Sequence, residues 1–231
     1  VTGVQTCALP IYLIAPGRGA EHWNGVDWDD NRGVMVPSGN TQGLNMYRRF
    51  NWKDFEETVE GAYDWSQLDW LINKAIDEGK MVSFSIMPMC TSCGNFGSLT
   101  YPKYLHDAMQ LDAVDKRDWL NAQGYWVPNW NSEIYLSRFE SLLNAIAAHL
   151  KNSSRNGISY RDVIFYVDVR GYGDFGEWHT WPFTGTEPVG RAATASTLIR
   201  IIDAHKNAFP DFPLVIPMGA FDTGGGSQIP A

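Results

Sequence analysis

The chain has little charge for its 231 residues: Asp, Glu, Lys and Arg make up 19% of it, with 18 basic against 26 acidic side chains and a formal net charge of −8. No Lys/Arg cluster occurs along it, and without a basic stripe to neutralise phosphates, nucleic acid is excluded as the expected partner. Long apolar runs are missing too, so no segment reaches bilayer-spanning length and no membrane partner is expected. Cysteine is scarce, at three. The five histidines (His22, His106, His149, His179 and His205) are dispersed, with no H-E-x-x-H or other metal-ligand spacing, so no metal site is predicted. The G-x-S-x-G elbow of serine hydrolases is absent. A G-x-G-x-x-G match does occur at Gly171 to Gly176, but Glu177, Trp178, Pro182 and Pro188 follow where a helix must begin. Dinucleotide binding is thereby disfavoured, and no cofactor is expected.

What the chain does have is apolar and aromatic material: 44% hydrophobic residues, with ten Trp, ten Tyr and eleven Phe. That is enough to bury the core of one globular domain. Several of the aromatics fall in predicted loops, where a core does not claim them. Residues Val1 to Ile11 resemble a translated sequencing adaptor and are set aside as an expression tag would be, leaving 12–231 as one unit. An adaptor there implies that the native start lies elsewhere. The Gly224-Gly225-Gly226 run at the other end reads as a loop, so truncation is expected at that end as well.

Strand-like and helix-like periodicities alternate past the adaptor, the pattern of parallel βα units. Leu44 to Phe50 reads as a strand. A helix follows from about Trp65, with Asp64 as N-cap, a stripe at Leu68, Leu71, Ile72, Ala75 and Ile76, and Gly79 to end it. Met81 to Met87 is a short buried strand, and Pro88 to Asn131 a loop long enough to be functional. Asn131 or Ser132 caps a helix with a stripe from Tyr135 to Leu150, and Val163 to Val169 is the most hydrophobic strand. A loop at 171–190, a helix over Ala195 to Phe209 and a strand at Leu214 to Ile216 complete the order, with one irregular earlier strand expected at Tyr12 to Ala15 or Val34 to Val36. His149 and His205, on amphipathic helices, are expected to be partly exposed. A doubly wound sheet and a (β/α)8 barrel both fit such a series. Long aromatic loops after the strands favour the barrel, whose sites form at the strand C-terminal ends. The predicted fold is α/β, an incomplete (β/α)8 TIM barrel running from its N-terminal portion through about the fifth strand.

Chemistry concentrates between Tyr166 and Pro182. A hydrophobic strand delivers Asp168 and Arg170 to one face, and a Gly-rich turn then carries Glu177 among Trp178, His179 and Trp181. Three glycines let the backbone fold back tightly enough to hold a carboxyl over the barrel mouth. Packed against Trp178 or Trp181, that carboxyl would be desolvated and its pKa raised, which suits a general acid. Sugar rings lie on aromatic faces, so Trp126, Trp130, Trp178 and Trp181 are candidate platforms, and an acid beside exposed indoles fits glycosidic cleavage. Carbohydrate is therefore the expected partner. The plainer alternative for Glu177 is a loop salt bridge to Arg170. Asp168 is expected to pair with Arg49 or Arg170, and His179 to line the pocket. The acidic run Asp54, Glu56, Glu57 and Glu60 reads as a solvated face before a helix. Cys90-Thr91-Ser92-Cys93 has C-x-x-C spacing, but no second pair exists to complete a zinc site, leaving a loop disulfide or free thiols.

Three stretches together carry a resemblance: Tyr47-Arg48-Arg49-Phe50-Asn51-Trp52-Lys53-Asp54-Phe55-Glu56, then Glu60-Gly61-Ala62-Tyr63-Asp64-Trp65 with Leu68-Asp69, and Asp168 to Trp181. On these the sequence resembles bacterial (β/α)8-barrel glycoside hydrolases of the β-galactosidase-like superfamily, in particular glycosidases with a β-sandwich after the barrel. The similarity spans most of residues 12–220. It implies that Glu177 stands at the place of the acid/base glutamate after the fourth strand. It also implies that Arg49, with Arg48 next, matches the arginine that steadies the nucleophile. In that superfamily the nucleophile follows the seventh strand, whereas this chain ends soon after the fifth. The nucleophile is therefore expected to be lost and the fragment inactive. One departure is Gly176, where many members carry Asn before the acid. A barrel that binds glycans without cleaving them is the alternative function.

Overall fold

A computed structural model describes residues 45–93, 97–180 and 191–216, together with short strands at 21–23, 27–29 and 34–36. The adaptor-like segment, the strand expected at Tyr12 to Ala15, and Trp181 lie outside the described residues.

In chain order the strands are β1 (Glu21–Trp23), β2 (Asp27–Asp29), β3 (Val34–Val36), β4 (Asn45–Asn51), β5 (Val82–Met87), β6 (Trp119–Leu120), β7 (Trp126–Val127), β8 (Ser154–Arg155), β9 (Ile158–Ser159), β10 (Ile164–Asp168) and β11 (Leu214–Val215). The helices are α1 (Ser66–Glu78), α2 (Lys103–Gln110), α3 (Glu133–Asn152) and α4 (Ala195–Ala208). Five strands make one sheet in the order β1-β4-β5-β10-β11, and each neighbouring pair is parallel. Order in the sheet follows order in the chain, so every crossover steps the same way. A doubly wound sheet reverses direction part-way; a barrel does not. The fold is α/β, a five-stranded parallel arc of the barrel type.

Helix boundaries follow local chemistry. Asp64 Oδ1 accepts from the Ser66 amide at 2.8 Å, and α1 ends where Gly79 adopts φ +65°, a left-handed conformation that costs glycine nothing. The predicted α1 stripe is buried, as is the α3 stripe from Tyr135 to Leu150. Thr194 caps α4 by accepting from the Thr197 amide. Asn131, just before α3, accepts from the Thr194 amide at 3.0 Å and the Thr197 hydroxyl at 2.6 Å, tying the starts of the two helices together. Their apolar faces meet Val82, Phe84, Ile164 and Val167 of the sheet in one core. Burying a side chain such as Phe84 contributes about 2 to 3 kcal/mol.

Three expectations need correction. The first sheet strand is Glu21–Trp23, paired with β4, whereas Val34–Val36 pairs antiparallel with Asp27–Asp29 in a separate ribbon. Register against β4 decides this, and hydrophobic content does not report it. Pro88 to Asn131 is not loop throughout: it contains α2, which begins after Pro102 and buries only Leu105 and Met109, too short a stripe to read, and the β6–β7 pair. His205 is fully buried, because α4 is covered by α3 and its ring lies 5.7 Å from that of Phe139.

Burial lowers the His205 pKa to about 4, against smaller opposing effects from the Ile201 carbonyl and Asp168. The unfolded chain binds this proton near pH 6.5 and the folded one does not until about pH 4. Stability is therefore lost as pH falls through that window. His205→Gln cannot titrate there and keeps a donor for the Ile201 carbonyl. Between pH 7 and pH 4.5, urea unfolding of the wild type is expected to lose roughly 2 kcal/mol more than that of the variant. Parallel losses in both proteins would remove His205 as the cause.

Candidate active site

Side-chain alternation along three adjacent strands brings Tyr47 of β4, Ser85 of β5 and Asp168 of β10 together. The Tyr47 hydroxyl lies 3.1 Å from Ser85 Oγ and donates a short hydrogen bond to Asp168 Oδ2. Arg170, two residues past Asp168 and 2% exposed, donates from Nε to the same oxygen at 2.7 Å and from Nη1 to the Phe175 carbonyl at 2.8 Å. That Nη1 is also 3.3 Å from Glu177 Oε1. Arg49, one alternation beyond Tyr47, closes the row with Nη2 at 2.7 Å from Glu177 Oε1. His179 Nε2 is 3.4 Å from Glu177 Oε2. The exposed end of this chain of groups is Glu177, whose side chain is 29% exposed.

The Gly-rich turn folds back on itself. The Trp178 amide donates to the Tyr172 carbonyl at 3.0 Å, Asp174 to His179 at 2.9 Å, and Glu177 to Asp174 at 2.9 Å. Gly173 sits at φ +81°, and a Cβ there would be 2.1 Å from the His179 carbonyl oxygen. A side chain at that position is incompatible with the closed turn.

A cleft of about 460 Å³ opens beside Glu177, lined by Arg49, Asn51, Asp54, Phe175 and the Cys90–Cys93 loop among others. Asn51 ends β4, and Met87, also in the lining, ends β5. The cleft therefore lies at the C-terminal ends of the parallel strands, where barrel sites form.

The electrostatics differ from expectation. Burial on its own would raise the Glu177 pKa, but the hydrogen bond from His179 and the charges of Arg49 and Arg170 outweigh it and hold the carboxyl at about 2. Among the described residues, the charged groups against it are the guanidiniums of Arg49 and Arg170. Asp54 shows the opposite balance: burial raises its pKa above the ordinary carboxyl value, despite a hydrogen bond from the Asn51 amide and the charge of Arg48.

Several expected positions move accordingly. Trp178 is fully buried, its Nε1 donating to the Val169 carbonyl at 2.9 Å. It cannot be a sugar platform, because the turn folds its ring inward under the strand end. Trp130 is likewise buried, edge-on to Tyr172. Trp126 packs against His106 with ring centroids 4.5 Å apart and is not part of the cleft lining. Asp168 and Arg170 are 5% and 2% exposed, so they support Glu177 from behind and do not face a ligand. Arg48 donates to Gln67 of α1 and covers the Phe50 ring at 4.5 Å. Glu56 is buried, accepting from Trp52 Nε1 at 2.9 Å and the Gly61 amide at 2.8 Å, so the acidic run is not a uniformly solvated face. Cys90 and Cys93 form a disulfide. Tyr47, Ser85, Thr91 and Asp174 take part in the site although sequence reasoning assigned them no role. Alternation from Arg49 along β4 could have pointed to Tyr47. Nothing local points to the others. Among the described residues, no group of three or more His, Cys, Asp or Glu is placed to hold a metal ion, and no helix is long and apolar enough to cross a membrane.

No family model matches the sequence, and no curated protein sequence does. Solved structures do resemble it. One is the exo-beta-1,4-mannosidase Op5Man5 from Opitutaceae bacterium strain TAV5, at 18% identity over 75% of this chain and 25% of that one, with a TM-score of 0.47. A second is the catalytic domain of beta-amylase from Paenibacillus polymyxa, at 16% identity over 73% and 41%, with a TM-score of 0.48. A third is GH5_18 from Streptomyces cattleya in complex with GlcNAc, at 15% identity over 74% and 35%, with a TM-score of 0.47. This chain spans less than half the length of each of these proteins.

Proposed function

We propose that this chain is the N-terminal arc of a barrel that cleaves O-glycosidic bonds, with Glu177 as the acid/base carboxylate. The observation that supports this reading best is the Glu177 carboxylate, 29% exposed, held at the C-terminal ends of parallel strands beside a cleft large enough for a sugar ring. The hydrogen bond from His179 and the charges of Arg49 and Arg170 hold Glu177 well below the ordinary carboxyl range, so in this arrangement it is ionised at neutral pH and not poised as a proton donor. The completed site needs a second carboxylate, from a strand beyond β11. That group takes Arg49 as its own partner. It also repels Glu177, raising its pKa toward the range a general acid needs. Retention of configuration then depends on the spacing of the two carboxylates.

A glycan-binding barrel without hydrolysis is the second reading, favoured by the ion pairing that keeps Glu177 unprotonated. Incubating the full-length parent with a panel of aryl glycosides and oligosaccharides distinguishes the two. Release of the aglycone or of shorter sugars is the expected result. Glycan retention on an affinity gel with no release from any substrate would establish the second reading instead.

A further inference from the structure

The wall of the cleft facing Glu177 includes the Cys90–Cys93 loop, its two cysteines joined by a disulfide with Cα atoms 5.3 Å apart. Between them, Thr91 donates twice to one carboxylate: its amide to Asp174 Oδ1 at 2.9 Å and its hydroxyl to Asp174 Oδ2 at 2.7 Å. Asp174 is fully buried, and its other donor is the Phe175 amide at 3.1 Å. The same residue opens the turn that ends at Glu177, accepting from the Glu177 amide and donating to the His179 carbonyl. Two segments 83 residues apart in sequence are thus joined through one buried carboxylate. A buried charge needs its donors. If Thr91 withdraws, Asp174 keeps only Phe175 among these donors, and the turn must shift to let water reach it.

We propose that Asp174 is a positioning residue for Glu177, and that the Cys90–Cys93 disulfide governs it. Closed, the disulfide holds Thr91 on Asp174 and so keeps Glu177 on Arg49. Opened, it releases the 172–179 turn. For turnover this rests on Glu177 being the working carboxylate; the coupling between the two loops does not. The reductant is a dithiol. Its thiolate attacks the sulfur of Cys93, the exposed member of the pair, forming a mixed disulfide and expelling Cys90 as a thiolate. The second thiol of the reductant then displaces Cys93. Two electrons and two protons pass to the protein, leaving two cysteine thiols, while the dithiol becomes a cyclic disulfide.

The test is amide hydrogen exchange on the 15N-labelled chain, read at Gly176 and Glu177, together with the side-chain N–H resonances of Arg49. The samples are the oxidised protein, the protein reduced with dithiothreitol, and Thr91→Val and Thr91→Ser with the disulfide intact. Reduction and Thr91→Val are each expected to speed exchange at Gly176 and Glu177 at least tenfold and to move the Arg49 resonances. Thr91→Ser, which keeps both donors, is expected to match the oxidised wild type. Amides of Phe50 and Phe84 in the sheet stay unchanged and report an intact core. Exchange at Gly176 and Glu177 within twofold of the oxidised protein in either perturbed form would overturn the proposal. Loss of protection at Phe50 and Phe84 on reduction would overturn it as well, because the disulfide would then hold the whole fold and not this turn. No substrate enters this measurement, so its failure and failure of the glycosidase reading are separate outcomes.

Discussion

Glu177→Gln in the full-length parent is expected to lower kcat/KM for glycosides with poor leaving groups by about 10²- to 10⁴-fold, with a much smaller loss for activated aryl leaving groups. The amide keeps the shape of the carboxyl but has no proton to transfer, so the deficit scales with how badly the departing oxygen needs one. Binding of glycans should change little, because the cleft walls contributed by Asn51, Phe175 and the disulfide loop are untouched. Supporting contacts remain as well: Arg170 keeps Asp168 at 2.7 Å and the Phe175 carbonyl at 2.8 Å. Kinetics on a leaving-group series, with product release followed separately, give the answer. A variant as fast as the wild type on the poorest leaving group would end the assignment of Glu177 as the acid.

The second large effect is expected from Gly173→Ala, which leaves every polar group of the site in place. Its φ of +81° disfavours any residue with a Cβ, and the new methyl would stand 2.1 Å from the His179 carbonyl oxygen. Backbone cannot yield as a flexible side chain does, so relief requires parting the two sides of the turn and losing the Asp174–His179 and Trp178–Tyr172 hydrogen bonds. Conformational strain and two lost bonds together cost about 3 kcal/mol. Activity of the parent should fall as far as in Glu177→Gln, because parting the turn displaces the carboxylate from its place beside the cleft. Chemical denaturation of the variant against Gly61→Ala supplies the control. Gly61 also has positive φ, but no atom lies within 4 Å of the Cβ it would gain. If Gly173→Ala is no less stable than Gly61→Ala, the steric argument is wrong.

Periodicity carried most of the architecture. The α1 and α3 stripes, the β4, β5 and β10 strands and the helix before β11 are local patterns, and local patterns survive into the fold because each element buries the face its own spacing makes apolar. The edge strand Glu21–Trp23 and the eight-residue α2 escaped because neither has enough apolar residues to show a period. Within the site, Glu177 and Arg49 are legible as residues. The resemblance implied a role for each, but their pairing with one another depends on distances across the sheet. Trp178 is not a platform for a related reason. A Trp after a glycine turn reads as exposed, yet the direction of its ring depends on the sign of φ, and Trp178 at φ +63° turns inward to satisfy Nε1 on the strand.

The amino-acid order alone therefore determined the sequence of βα units, the faces that form the core, and the presence of a carboxyl on a glycine turn after the most hydrophobic strand. These depend on neighbours within a few residues. Tertiary structure alone decided the charge state of that carboxyl, the burial of His205 and the attachment of the C-x-x-C loop to Asp174. His205 and the C-x-x-C loop depend on groups more than 60 residues away in sequence, and the charge state of Glu177 combines His179 and Arg170 nearby in the chain with Arg49 from across the sheet, because Coulomb interaction and desolvation act through space and take no account of chain separation.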